Sequence, residues 1–193
     1  MTMTSTYPKS LRIGVMLEAV QLSDIVGIDI FGNMSTKILA EIAANGPDYA
    51  VLLDKAIDME FFYMSSTLDP FEVTPSLKIV PNVTYDTCPR DLDIVVIGGP
   101  FPTFRPAGAD KFMKEAWSKT RVWLTTCTGA LWLASTGKLS GHKATANRAA
   151  VPIAQQMYPD VQWLDQRWVV DEKPFDGEGK GELWTGGGAG AGK

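Results

Sequence analysis

The sequence predicts an α/β fold with a mainly parallel central sheet covered by helices on both faces. Strand-like and helix-like segments alternate along the chain, the pattern of a sheet built from crossover units. The strand-like segments include short continuous apolar runs such as Leu11 to Leu17 and Ile94 to Ile97, as strands buried on both faces require. The chain has 193 residues and a hydrophobic content of 45%, enough for one sizeable core and short for two. Residues 1–10 read as a polar, flexible leading segment and 11–193 as one domain without repeat or linker.

Leu11 to Leu17 (LRIGVML) is the first strand. From Ser23 through Asn45 the apolar positions Ile25, Ile28, Phe31, Ile38, Leu39 and Ile42 recur at mixed three- and four-residue steps. This predicts a helix, irregular at Gly27 and Gly32 and stopped by Asn45-Gly46-Pro47. Tyr49 to Leu53 and Met59 to Met64 read as strands, the second suited to a sheet edge, with Leu77 to Val80 in a small ribbon beside them. Ile94 to Ile97 is a central strand that breaks at Gly98-Gly99-Pro100. Asp110 to Lys119 has helical spacing through Phe112, Met113, Ala116 and Trp117, and Arg121 to Leu124 is a further strand. Thr125-Thr126-Cys127-Thr128-Gly129 follows at once, before a helix over Ala130 to Ala134 that ends at Gly137. Ala144 to Ala146 reads as a short strand and Val151 to Met157 as a helix with Pro152 in its first turn. Trp168 to Asp171 and Leu183 to Thr185 form a strand pair around the Gly-rich turn Lys173 to Gly181.

Composition narrows the function. A net charge of −4 and a pI near 5.0 supply no basic field for nucleic acid, and no Lys/Arg run appears. The start of the chain lacks a charged end followed by an apolar stretch, and no window reaches the length of a membrane span. A cytoplasmic protein with a small-molecule substrate, no membrane and no nucleic-acid partner is expected. Cys88 and Cys127 are the two cysteines and His142 is the one histidine, so neither a disulfide framework nor a zinc ligand set is legible. The chain is read as independent of cofactors and metals.

In parallel sheets, ligands bind beyond the carboxyl ends of the strands. Three segments fall there: the turn after the first strand, the Gly98-Gly99-Pro100 loop and the Cys127 turn. A cysteine on a sharp strand-to-helix turn is held exposed above the sheet, and the first N–H groups of the helix favour a thiolate or a developing anion. The small neighbours Thr125, Thr126, Thr128, Gly129 and Ala130 leave room for a substrate, and the Thr128 and Gly99 N–H groups are candidates for an oxyanion hole. The competing reading of Cys127 is a buried core thiol. That reading is preferred for Cys88, which stands between Thr87 and Pro89 with no helix start or base beside it. Trp132, Phe101, Phe104 and Trp184 are candidates for an apolar pocket, although such aromatics more often belong to the core.

Thr125 to Ala130, Leu133-Ala134, Gly137-Lys138-Leu139 and Gly141-His142-Lys143-Ala144-Thr145 together resemble the cysteine elbow and following strand of the ThiJ/PfpI superfamily, which has the class I glutamine amidotransferase-like fold. The branch most resembled is the isocyanide hydratase-like one. Asp93 to Gly99 (DIVVIGG), Leu22 to Gly27 (LSDIVG) and Leu183 to Gly188 (LWTGGG) extend the match over nearly the whole chain. The resemblance implies a flavodoxin-like three-layer sandwich, a homodimer and an acidic residue packed against the cysteine. Asp24 matches that residue and would act as general acid and base. Its competing role is a helix N-cap, while Glu18, held in reserve, and Asp29 are rivals for the carboxylate.

Two departures accompany the match. Many members carry a His where this chain has Asn147, which cannot transfer protons near neutral pH but can orient a carbonyl or a water. His142 precedes that strand and reads as a solvent-exposed turn residue. Members also usually continue into a long final helix beyond the Gly186 to Gly188 segment, which itself can approach the site as backbone. The expected function is a cysteine-dependent enzyme of hydratase or lyase type, or one forming carbon–carbon bonds. In it, Cys127 adds to a small electrophilic molecule with carboxylate help, in keeping with secondary metabolism. The alternatives are a redox-sensing or ligand-binding module and a glyoxalase- or deglycase-like activity on reactive carbonyls.

Overall fold

The computed structural model describes residues 8–46 and 50–188. A seven-stranded sheet runs in the order β10-β11-β7-β6-β1-β2-β5. Its strands are β1 (Ser10–Met16), β2 (Asp58–Ser65), β5 (Val83–Thr84), β6 (Ile94–Ile97), β7 (Val122–Thr126), β10 (Trp168–Lys173) and β11 (Gly181–Gly186). Every pairing in it is parallel except that of β10 with β11. Two small sheets stand beside it: the antiparallel hairpin β3 (Phe71–Val73) and β4 (Leu77–Ile79), and the parallel pair β8 (Lys143–Ala144) and β9 (Gln162–Trp163).

The predicted apolar runs form the middle of the sheet because residues on alternate sides of one strand both need cover. One side packs Met16, Met64, Val95, Ile97, Trp123 and Leu183 against α4 (Ala107–Ala116), α5 (Gly129–Ala134) and α6 (Val151–Met157). The other side packs Ile13, Val15, Leu17 and Val96 against Ile25 of α1 (Leu22–Ile25), Ile28 and Phe31 of α2 (Gly27–Gly32) and the β3–β4 hairpin. These are the three layers of a flavodoxin-like sandwich. Among the described residues no helix is long and apolar enough to cross a membrane.

Four local expectations are corrected. The run Ser23 to Asn45 is three helices, α1, α2 and α3 (Thr36–Ala43), because Ser35 takes extended backbone and accepts the Ile38 N–H as the N-cap of α3. Tyr49 lies outside the described residues, and in the rest of the strand expected over Tyr49 to Leu53, Ala50 is helical, Val51 and Leu52 form a turn, and Leu53 starts the 3₁₀ turn Leu53–Lys55. β2 is not the edge strand, since β5 pairs with its last two residues, Met64 and Ser65. Of the leading segment 1–10, residues 1–7 lie outside the described residues and Ser10 already belongs to β1.

Candidate active site

The carboxyl ends of β1, β6 and β7 bring the three expected segments together. Val20, after β1, bridges to Pro100 of the double-glycine loop, and the Thr126 hydroxyl at the end of β7 donates to the Asp24 carbonyl at 2.7 Å. Nothing in the sequence marks Thr126 for this task, since any strand-end threonine looks alike before the chain is folded.

Cys127 occupies the turn between β7 and α5 with φ of +56°, a left-handed conformation that costs a side-chain-bearing residue on the order of 1 kcal/mol. The elbow is pinned on both sides: the Cys127 N–H donates to the Gly186 carbonyl at 3.0 Å, and the Asn147 N–H donates to the Cys127 carbonyl at 3.1 Å. A Cβ on Gly99 would stand 2.8 Å from the Cys127 Cβ and 2.8 Å from the Thr128 nitrogen, so this close approach of loop to elbow requires glycine. A Cβ on Gly98 would meet Val20 and Ile25 in the same way. The Thr128 hydroxyl donates to the Pro100 carbonyl at 2.7 Å, closing the loop onto the elbow. The Gly186 to Gly188 segment reaches the elbow as backbone.

Around the sulfur lie the side chains of Asp24 and Asn147 and the backbone N–H of Thr128. Asp24 is 3% exposed, lies inside α1 rather than at its N-cap, which is Gln21, and its Oδ2 accepts the Gly99 N–H at 3.3 Å. That N–H, expected as an oxyanion donor, is directed at the carboxyl in this structure. Asn147 Nδ2 donates to Cys127 Sγ at 3.6 Å. Cys127 is 8% exposed, and burial is the largest influence on its thiol. The Asn147 amide and the Thr128 N–H pull the thiol down, and the Asp24 charge pushes it up. The outcome is a thiol above its ordinary value, where the helix start alone predicts one below it. Burial pushes the Cys88 thiol further, up to about 12.

The remaining candidates separate from this cluster. Glu18 Oε2 accepts the Ser66 N–H at 3.0 Å and the Ser66 hydroxyl at 2.8 Å, and Asp29 is exposed on α2. His142 is not a free turn residue: its Nδ1 lies 3.1 Å from Asp171 Oδ2, and its ring meets the edge of Trp117 at 5.8 Å. The four aromatics do not share a pocket, for Trp132 is fully buried against Phe104, Phe101 is 77% exposed and Trp184 faces outward from β11. A groove of about 430 Å³ is lined by Leu22, Ile25, Val26, Ile28, Phe61 and Tyr63 among others, and by neither Cys127 nor Asn147.

The family model for DJ-1/PfpI proteins matches residues 47–183. The chain belongs to the DJ-1/PfpI family. Among solved structures it is similar to a ThiJ/PfpI family protein from Pseudomonas syringae, with 20% identity and a TM-score of 0.70, covering 95% of this chain and 65% of that one. A two-domain protein from Anabaena variabilis with DJ-1/ThiJ/PfpI-like and ferritin-like domains has 17% identity and a TM-score of 0.65, over 92% of this chain and 43% of that one. An AraC family transcriptional regulator from Pseudomonas putida has 13% identity and a TM-score of 0.64, over 93% and 83%. The chain therefore spans under two thirds of the length of the first two proteins. At these identities the likeness to each is one of fold. A search of curated proteins found no match.

Proposed function

We propose that this DJ-1/PfpI family member is a cysteine-dependent enzyme of hydratase or lyase type that acts on a small electrophilic molecule, the chemistry of the isocyanide hydratase-like branch. The observation that carries the reading is the elbow itself: a cysteine at φ of +56° whose sulfur meets the Asn147 amide and the Asp24 carboxyl. The family includes enzymes, which agrees with this reading.

In this mechanism Asp24 accepts the thiol proton as Sγ adds to the electrophilic carbon, then passes it to the substrate atom that receives the electron pair. Water next adds to the same carbon and gives a proton to Asp24. The C–S bond breaks, sulfur takes that proton, and the net change is one water added to the substrate. The Thr128 N–H, beside the sulfur, supports the developing charge. Intact-mass labelling with a panel of isocyanides, enones and dicarbonyls tests the proposal. A transient adduct on Cys127 with product formed in excess of enzyme is expected from one class, and no adduct from any class sinks it.

A second reading, a ligand-binding or redox-sensing module, is favoured by the upward pull of burial on Cys127, which keeps a resting thiolate scarce. The P. putida likeness, a protein described as a transcriptional regulator, suggests the same class. It predicts a stable stoichiometric adduct or oxidised thiol without turnover.

A further inference from the structure

Asn147 is tied to Cys127 by both its backbone and its side chain. Its backbone N–H donates to the Cys127 carbonyl at 3.1 Å. Its side chain is the N-cap of the 3₁₀ turn Arg148–Ala150, where Oδ1 accepts the Ala149 N–H at 3.0 Å. An amide has one accepting end and one donating end, and an N–H can be met by the oxygen alone. The cap therefore fixes which way the amide points: Oδ1 goes to the turn and Nδ2 to Cys127 Sγ at 3.6 Å, a hydrogen-bond length for an atom as large as sulfur.

The last glycine of the LWTGGG segment keeps this contact clear. A Cβ at Gly188 would stand 3.3 Å from Asn147 Nδ2 and 3.3 Å from Cys127 Sγ. A methyl group there presses on both partners of the N···S contact and forces one to give way.

We propose that the capped Asn147 amide is the side-chain donor that stabilises the Cys127 thiolate and so sets the pH range in which the sulfur reacts. The proposal rests on the reading of Cys127 as the nucleophile and assigns Asn147 to the reacting sulfur rather than to a substrate carbonyl or water. Among the described residues, the ionisable side chain acting on this sulfur is Asp24 of α1, whose charge works the other way, and the Thr128 N–H on the elbow is the second donor. Asn147 thus works against burial and Asp24 without cancelling them.

Two variants test this in the full chain. Asn147→Asp keeps the size and the capping oxygen but puts an acceptor where the donor was. Asn147→Ser keeps a capping oxygen and removes the amide N–H that reaches the sulfur. The rate of Cys127 alkylation by iodoacetamide is followed by peptide mass from pH 6 to 11. The midpoint is expected to rise by about one pH unit or more in Asn147→Ser, a loss of roughly tenfold in thiolate at neutral pH, and further in Asn147→Asp. The plateau at high pH should stay level or rise, because a thiolate of higher pKa is the stronger nucleophile. Gly188→Ala is expected to move the midpoint in the same direction. A reactive Cys127 whose midpoint stays put in both Asn147 variants, or whose plateau falls without a shift, overturns this assignment alone. A wild-type Cys127 that resists alkylation across the whole range overturns the nucleophile reading and this one with it.

Discussion

At Cys127 opposing effects act on one sulfur: burial and the Asp24 charge raise its pKa, while the Asn147 amide and the Thr128 N–H lower it. Cys88 has Arg90 and Arg12 to lower it, yet burial carries it to about 12. Alkylation of the folded protein should therefore modify Cys127 well before Cys88, and equal rates for the two thiols would contradict the site. Asp24 permits a test in which two readouts move apart. Removing its charge in Asp24→Asn takes away an influence that raises the thiol pKa, so alkylation at neutral pH should quicken. Turnover should nonetheless fall by about 10²–10⁴-fold, because the amide cannot move a proton. Glu18→Gln is the comparison, and with its carboxylate engaged by Ser66 it should leave turnover close to wild type. A dead Glu18→Gln beside an active Asp24→Asn would assign the acid to Glu18.

The helices that carry the site are short, and their boundaries come from caps. Ser35 breaks the helical run and starts α3; Ser35→Ala should cost about 1 kcal/mol in urea unfolding, with the thiol chemistry unchanged. Lys173 on β10 holds the far end of α4. It is 5% exposed, and its Nζ donates to the carbonyls of Trp117 at 2.8 Å, Thr120 at 2.7 Å and Pro174 at 2.8 Å. Burial lowers its pKa from 10.5 to about 8. Between those values the unfolded chain binds the proton and the folded chain does not. This group's contribution to stability therefore rises with pH through that window and is smallest below about 8. The difference in unfolding free energy between wild type and Lys173→Met should accordingly grow in favour of wild type between pH 8 and pH 10. A difference that is flat with pH would mean that Lys173 keeps its proton in both states.

Across the whole molecule the two faces of the sheet are covered unequally. α4, α5 and α6 bury one face deeply, whereas on the other face Val170, Trp184, Leu124, Val96, Val15 and Tyr63 form one row by register, and its β10–β11 end is open. There Trp168 is 60%, Val170 45% and Trp184 41% exposed. Exposed apolar rows of this kind promote association, and a homodimer, the assembly implied by the family resemblance, remains our proposal for this chain. Light scattering over a dilution series should return one dimer mass that falls toward the monomer in Trp184→Lys. A monomer at every concentration would remove the proposal.

The architecture was legible in the sequence wherever local chemistry was sufficient. Ile94 to Ile97 is apolar on both sides, so it could only be a central strand. Pro152 and the spacing behind it defined Val151 to Met157, and a cysteine among small residues between strand and helix marked the elbow. The break of Ser23 to Asn45 at Ser35 was not legible, because the apolar period runs on through it while the backbone turns to pair with Ile57 across the chain. The site divides in the same way. The sequence by itself determined that Cys127 stands on a turn, and it offered Asp24, Glu18 and Asp29 as candidate carboxylates. Only the tertiary structure placed them. It set the Asp24 carboxyl between Gly99 and the thiol, gave Glu18 to Ser66, and turned the Asn147 amide toward the sulfur. The direction of the thiol pKa was decided there as well, because burial and the positions of charges and donors are properties of packing between segments some 20 to 100 residues apart.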